Sequence, residues 1–184
     1  MARAVGKIGK SGGIWRIAGW GMAGLILLLP LAAMQVTDEV KWDGADFTFA
    51  AVMIGGVGLA FELAVRMSKN IGTRGGVGAA LAAAFLIVWA NAAVGMIGDG
   101  DNPLNLMFAG VLALAFLGAV LVRFQPERMA VVMTVAAVAQ LVAGAVGAST
   151  DLRGGILSAC FAGPWILSAA LFAKAGRERT TGSI

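Results

Sequence analysis

One carboxylate stands inside an apolar run, Glu62 in Phe61-Glu62-Leu63-Ala64-Val65-Arg66. A charge in hydrocarbon is costly, so such a residue marks a proton or cation site by default. Arg66 follows four residues later, on the same helix face and in the favourable order for an ion pair. That gives a competing reading, a paired carboxylate near one end of a span, since four residues rise only ~6 Å. Two amides lie deeper: Asn91, close to Trp89, and Gln140, with Thr134 about two turns before it. Glu62, Asn91 and Gln140 together form a candidate polar path for a solute. The alternative is that each amide hydrogen-bonds to a neighbouring helix, worth only about 0.6 kcal/mol net.

The loop Asp99-Gly100-Asp101-Asn102-Pro103 is the most distinctive motif. Two carboxylates and an amide on a glycine turn suit a hard cation, which prefers oxygen ligands. Asp99, Asp101 and Asn102 are therefore a candidate extracytoplasmic metal site, to which Asp38, Glu39, Asp43, Asp46 and Asp151 could add charge. The spacing echoes the start of an EF-hand loop but lacks its remaining ligands. The same residues suit a helix start, with Asn102 as N-cap and Pro103 at the first position.

Other chemistry is excluded by residue type. Histidine and tyrosine are absent, which removes His-ligated haem, His acid–base catalysis and Ser-His triads. The single cysteine, Cys160, can form neither an intrachain disulfide nor a zinc framework. Lys174, at the end of the last span, is poorly placed for a Schiff base. No enzyme activity and no cofactor are expected.

These residues must be positioned by elements that live in lipid. Of 184 residues, 59% are hydrophobic and 13% charged, against about 45–50% and about 25% in a soluble domain. So little charge cannot cover a water-facing surface. Six apolar runs, 15–36, 47–67, 77–98, 104–124, 128–148 and 156–175, each approach the ~20 residues that cross a bilayer. They are apolar on every face and too long for barrel strands, so each must satisfy its own backbone as a helix. The expected fold is an all-α bundle of six transmembrane helices over 15–175. A basic segment, 1–14, precedes it and a polar tail, 176–184, follows. The first run has a signal-peptide look, but it is long and no clean Ala-x-Ala site follows, so an uncleaved helix is expected.

Charge sets the orientation. With the N-terminus inside, only Lys41 and Arg153 of the 14 basic residues fall outside. The positive-inside rule then places both termini in the cytoplasm. The sequence pI of about 9.8 thus reflects membrane sidedness, and nucleic acid is not an expected partner. Gly55, Gly56 and Gly58 give α-helix two a smooth face for close packing. Pro30 and Pro164 could kink their helices and open gaps. Short echoes, Phe49-Ala50-Ala51, Phe108-Ala109-Gly110 and Phe161-Ala162-Gly163, raise the option of three related helical hairpins.

The run from Asn91 to Pro103, continuing to Phe108, resembles a family of small uncharacterised proteobacterial membrane proteins. The resemblance extends loosely through Arg123-Phe124-Gln125-Pro126 and back to Glu62. It implies a bacterial inner-membrane setting and supplies no activity. Two functions follow: a small-solute or ion transporter, or a non-catalytic accessory subunit. A homo-oligomer or a larger membrane complex fits either.

Overall fold

The computed structural model describes residues 8–181, with side chains from residue 16 onward. Its helices are α1 (Ile8–Ala33), α2 (Gly44–Met67), α3 (Ile71–Val94), α4 (Leu106–Leu121), α5 (Pro126–Ala148), α6 (Leu152–Cys160) and α7 (Ala162–Thr181). A 3-10 turn, Pro103–Asn105, leads into α4. No strand occurs among the described residues. Six stretches are long and apolar enough to cross a membrane, the last being α6 and α7 taken together, Leu152–Thr181. The chain is an all-α protein with six helices of membrane-spanning length, as its composition requires.

The chain divides into two compact units, Met1–Leu59 and Ala60–Ile184. In the first, α2 begins with a reciprocal cap. Asp43 Oδ1 accepts from the backbone N–H groups of Ala45 and Asp46, while Asp46 Oδ2 accepts from that of Asp43. Two of the orphan N–H donors of the first turn are thereby satisfied. The Trp42 ring meets Phe47 edge-on at 5.2 Å, the position of a hydrophobic staple. This cap starts α2 three residues before the expected 47.

In the second unit α5 is the central helix. Its buried positions Met129, Val132, Met133, Ala136, Gln140, Ala143, Gly144 and Gly147 recur every three or four residues, the repeat of a helix with one packed face. α6 and α7 lie along α5, α3 lies on α7, and α4 lies on α5. The core side chains include Ile87, Ile97, Phe108, Met133, Trp165 and Phe172. Many side chains facing away from this core are large and apolar, such as Leu106, Phe116, Leu121, Val131, Leu157 and Ile166. That is the reverse of a water-soluble surface and suits lipid.

The option of three helical hairpins would pair α3 with α4, but those helices touch only slightly. The three Phe echoes do not share an environment either. Phe108 is buried, Phe49 is exposed and Phe161 sits at the junction of α6 and α7.

The third span begins six residues and ends four residues earlier than 77–98. Ser68 to Gly76 reads as polar punctuation between two spans, yet α3 begins at Ile71 because Asn70 caps it, accepting from Thr73 N–H at 2.8 Å. The glycines are a contact surface instead. A Cβ at Gly72 would lie 3.0 Å from the Leu171 carbonyl, and one at Gly76 would meet the Phe172 ring at 2.8 Å. Small residues let helix backbones approach this closely. Arg74 closes the turn, its guanidinium donating to the Ser68 and Val65 carbonyls freed at the end of α2. At the far end, α7 remains helical through Thr181, covering most of the expected tail.

Gly144 offers the sharpest test of this packing. A Cβ there would stand 2.8 Å from the Gly155 carbonyl and 3.0 Å from Ala159 Cβ. Gly144→Val should destabilise the protein by roughly 1–3 kcal/mol through overpacking. Gly110→Ala, where nothing lies within 4 Å, should not destabilise it. Thermal unfolding in detergent reads both.

Candidate functional site

The polar side chains of the second unit gather where helices are interrupted. α3 stops at Val94 because Gly95 adopts φ 76°, and Gly98 follows with φ 66°. A side chain is strained at such angles. At Gly95 a Cβ would also lie 2.6 Å from the Asp99 carbonyl. The turn they form buries Met96 and Ile97, whose backbone N–H groups have left the helical ladder.

Asn105 answers that deficit. Its side chain is buried, and its Oδ1 accepts from Met96 N–H at 3.0 Å and Ile97 N–H at 2.8 Å. Its amide nitrogen donates to the Asp99 carbonyl at 2.7 Å and more weakly to that of Ile97. Leaving such groups buried without partners would cost about 1–3 kcal/mol each. Sequence reasoning missed Asn105. Its signal was an amide at the start of an apolar helix, three residues after Asn102, in a stretch that read as ordinary helix.

The network runs on through the fold. Asn91 donates to the Asn105 carbonyl at 3.3 Å. The Met96 carbonyl accepts from Ser158 Oγ at 3.2 Å, and the Ser158 carbonyl accepts from Gln140 Nε2 at 2.9 Å. Asn91 and Gln140 are thus joined through Asn105, Met96 and Ser158. Glu62 is not part of this chain. Its carboxylate pairs with Arg66 at 2.6 Å, the partner its spacing predicts.

Gln140 is fully buried and reaches the junction between α6 and α7. The helix breaks at Phe161, and Pro164 has no N–H to offer the Cys160 carbonyl four residues before it. Phe161 lies about 14 Å of helix rise from Leu152, roughly half of a ~30 Å hydrocarbon core. Beside the break is a recess of about 460 Å³, lined mainly by apolar side chains of α3 and α6, with Ser158, Cys160 and Pro164. Among the described residues, three buried polar atoms lack a hydrogen-bond partner: Asn91 Oδ1, Gln140 Oε1 and Trp165 Nε1.

The acidic loop is organised by helix capping. Asn102 Oδ1 accepts from Leu104 N–H at 3.0 Å, the role its place before Pro103 predicts. Asp99 and Asp101 are exposed. Among the described residues, no group of three or more His, Cys, Asp or Glu side chains is arranged to hold a metal ion. Asp151 instead ties two loops together, Oδ1 accepting from Gly154 N–H and Oδ2 from Gly98 N–H, each at 3.0 Å. The donors on Gly154 and then Gly98 hold its carboxyl below the ordinary value of 3.8, because they favour the charged form.

No protein-family model matches this chain, and no curated protein or solved structure proves similar to it.

The depressed Asp151 pKa fixes a sign. Its stabilising effect is fully present above 3.8 and is lost as the pH falls through the lower folded value. Asp151→Ala should lower the thermal midpoint at neutral pH. The gap from the unsubstituted protein should close in strong acid. A gap that stays constant through that range would show that the carboxylate charge is irrelevant.

Proposed function

We propose that this chain is a multi-pass protein of a bacterial inner membrane, with both termini cytoplasmic, acting as a non-catalytic accessory or scaffolding subunit. Six spans put both ends on one side, and the lysine and arginine bias makes that side the cytoplasm. The Asp99 and Asp151 loops then face outward. The Glu127 end of α5 and the end of α7 face inward.

The observation that carries the subunit role is a contrast between glycines. In the second unit Gly72, Gly76, Gly144 and Gly176 each sit against a neighbouring helix. Within the first unit Gly58 meets the Trp20 ring, but Gly19, Gly21, Gly24, Gly55 and Gly56 face nothing within 4 Å, an openness that Gly110 and Gly163 share in the second unit. Glycine in a helix costs about 1 kcal/mol relative to alanine, so an unused smooth face suits a helix from another chain. The polar side chains support the same reading, since Glu62, Asn91 and Gln140 are engaged in an ion pair or in bonds to backbone carbonyls.

The interrupted sixth span favours a second reading, transport. Broken helices with freed carbonyls near the midplane are how many transporters build solute sites, and Gln140 Oε1 could accept a bond from a solute.

Purification in mild detergent followed by mass measurement separates the two. The subunit reading predicts a stoichiometric complex with another membrane protein or a second copy. It also predicts that Gly56→Ile disrupts that complex without unfolding the chain. A lone monomer that makes liposomes permeable to a solute, with the flux abolished by Gln140→Leu, would replace this reading with transport.

A further inference from the structure

A shallow recess of about 520 Å³ lies between the first turns of α5 and the last turns of α7, lined by Glu127, Ala130, Ala173, Gly176, Arg177, Thr180 and Thr181. Its chemistry is graded. Ala130, Ala173 and Gly176 make a small, apolar floor on helices that continue into the span. Above them stand one carboxylate, one guanidinium and two hydroxyls. Glu127 and Arg177 are both exposed, and no ion pair joins them among the described residues. Glu127 accepts only a long bond, 3.5 Å, from Thr180 Oγ1. An acid and a base therefore share one recess at the membrane surface without neutralising each other.

We infer that this recess binds the headgroup of a zwitterionic phospholipid carrying a primary ammonium, a phosphoethanolamine lipid, with its acyl chains against the Ala130 and Ala173 floor. The phosphate meets Arg177, which forms charge-assisted bonds to phosphate oxygens. The ammonium meets Glu127. A quaternary choline headgroup has no N–H to give that carboxylate. A purely anionic headgroup satisfies Arg177 but is opposed by Glu127. The apolar floor identifies the source as a lipid, not a free phosphoester. The inference rests on the membrane reading above, which places this recess at the level of lipid headgroups.

The test uses the full chain in nanodiscs or mixed micelles, with bound lipid counted by native mass spectrometry. Phosphatidylethanolamine should be retained about five-fold over phosphatidylcholine and over phosphatidylglycerol, the scale of one solvent-screened charge contact. Free phosphoethanolamine should not displace it. Glu127→Gln should shift the preference to phosphatidylglycerol, because it removes the repulsion. Arg177→Gln should reduce retention of all three lipids. Both positions are exposed, so the thermal midpoint of each variant should match the parent. Equal retention of the three lipids, or a preference for phosphatidylglycerol in the unsubstituted protein, would overturn the site. A chain that stays dissolved without detergent would fail the membrane reading itself.

Discussion

A backbone amide in hydrocarbon has no water to turn to, and most of this structure follows from that shortage. A continuous helix satisfies itself, so six runs of membrane length become helices. The difficulty arises only where a helix stops. At several such places in the second unit a polar side chain supplies what the ladder lost, whereas the turn between α4 and α5 is closed by backbone hydrogen bonds, with no side-chain cap from Gln125. Arg74 serves the carbonyls at the end of α2, and Asn70 serves the start of α3. Asn105 serves the turn after α3, while Gln140 serves the break between α6 and α7. Polar residues are scarce here, and their main employment is backbone repair.

That employment explains what could and could not be read from the residues alone. Hydropathy marked six helices, and the spacing of Glu62 and Arg66 identified their pairing. Asn102-Pro103 announced a helix start. The boundaries were harder, because glycine carries two opposite meanings. In Ile71 to Gly76 it looks like a loop, yet it serves a helix pressed against α7, and only the presence of Leu171, Phe172 and Ala175 on the other side decides between them. Asn105 was equally hidden, since its importance lies in the Met96 and Ile97 amides it meets, nine and eight residues away. A chain-local pattern cannot show that a turn folds back onto it.

The same logic bears on function. An intramembrane amide attracts attention as a solute ligand, but Asn91 and Gln140 each use a nitrogen to hold a carbonyl. Their oxygens, with Trp165 Nε1, are the groups left over. A rigid network of this kind suits a chain that presents fixed faces to partners. The span interrupted at Phe161 is the feature here that suits movement. Glu127 and Arg177, which line one recess between α5 and α7, lie outside the repair network.

Hydrogen exchange at Met96 and Ile97 tests this account most directly. If Asn105 satisfies their backbone, both amides should be strongly protected in the parent protein, and Asn105→Ala should release them while the middle of α5 stays protected. Should they exchange in the parent as freely as exposed Gly100, or keep their protection without the Asn105 side chain, the repair principle would be contradicted.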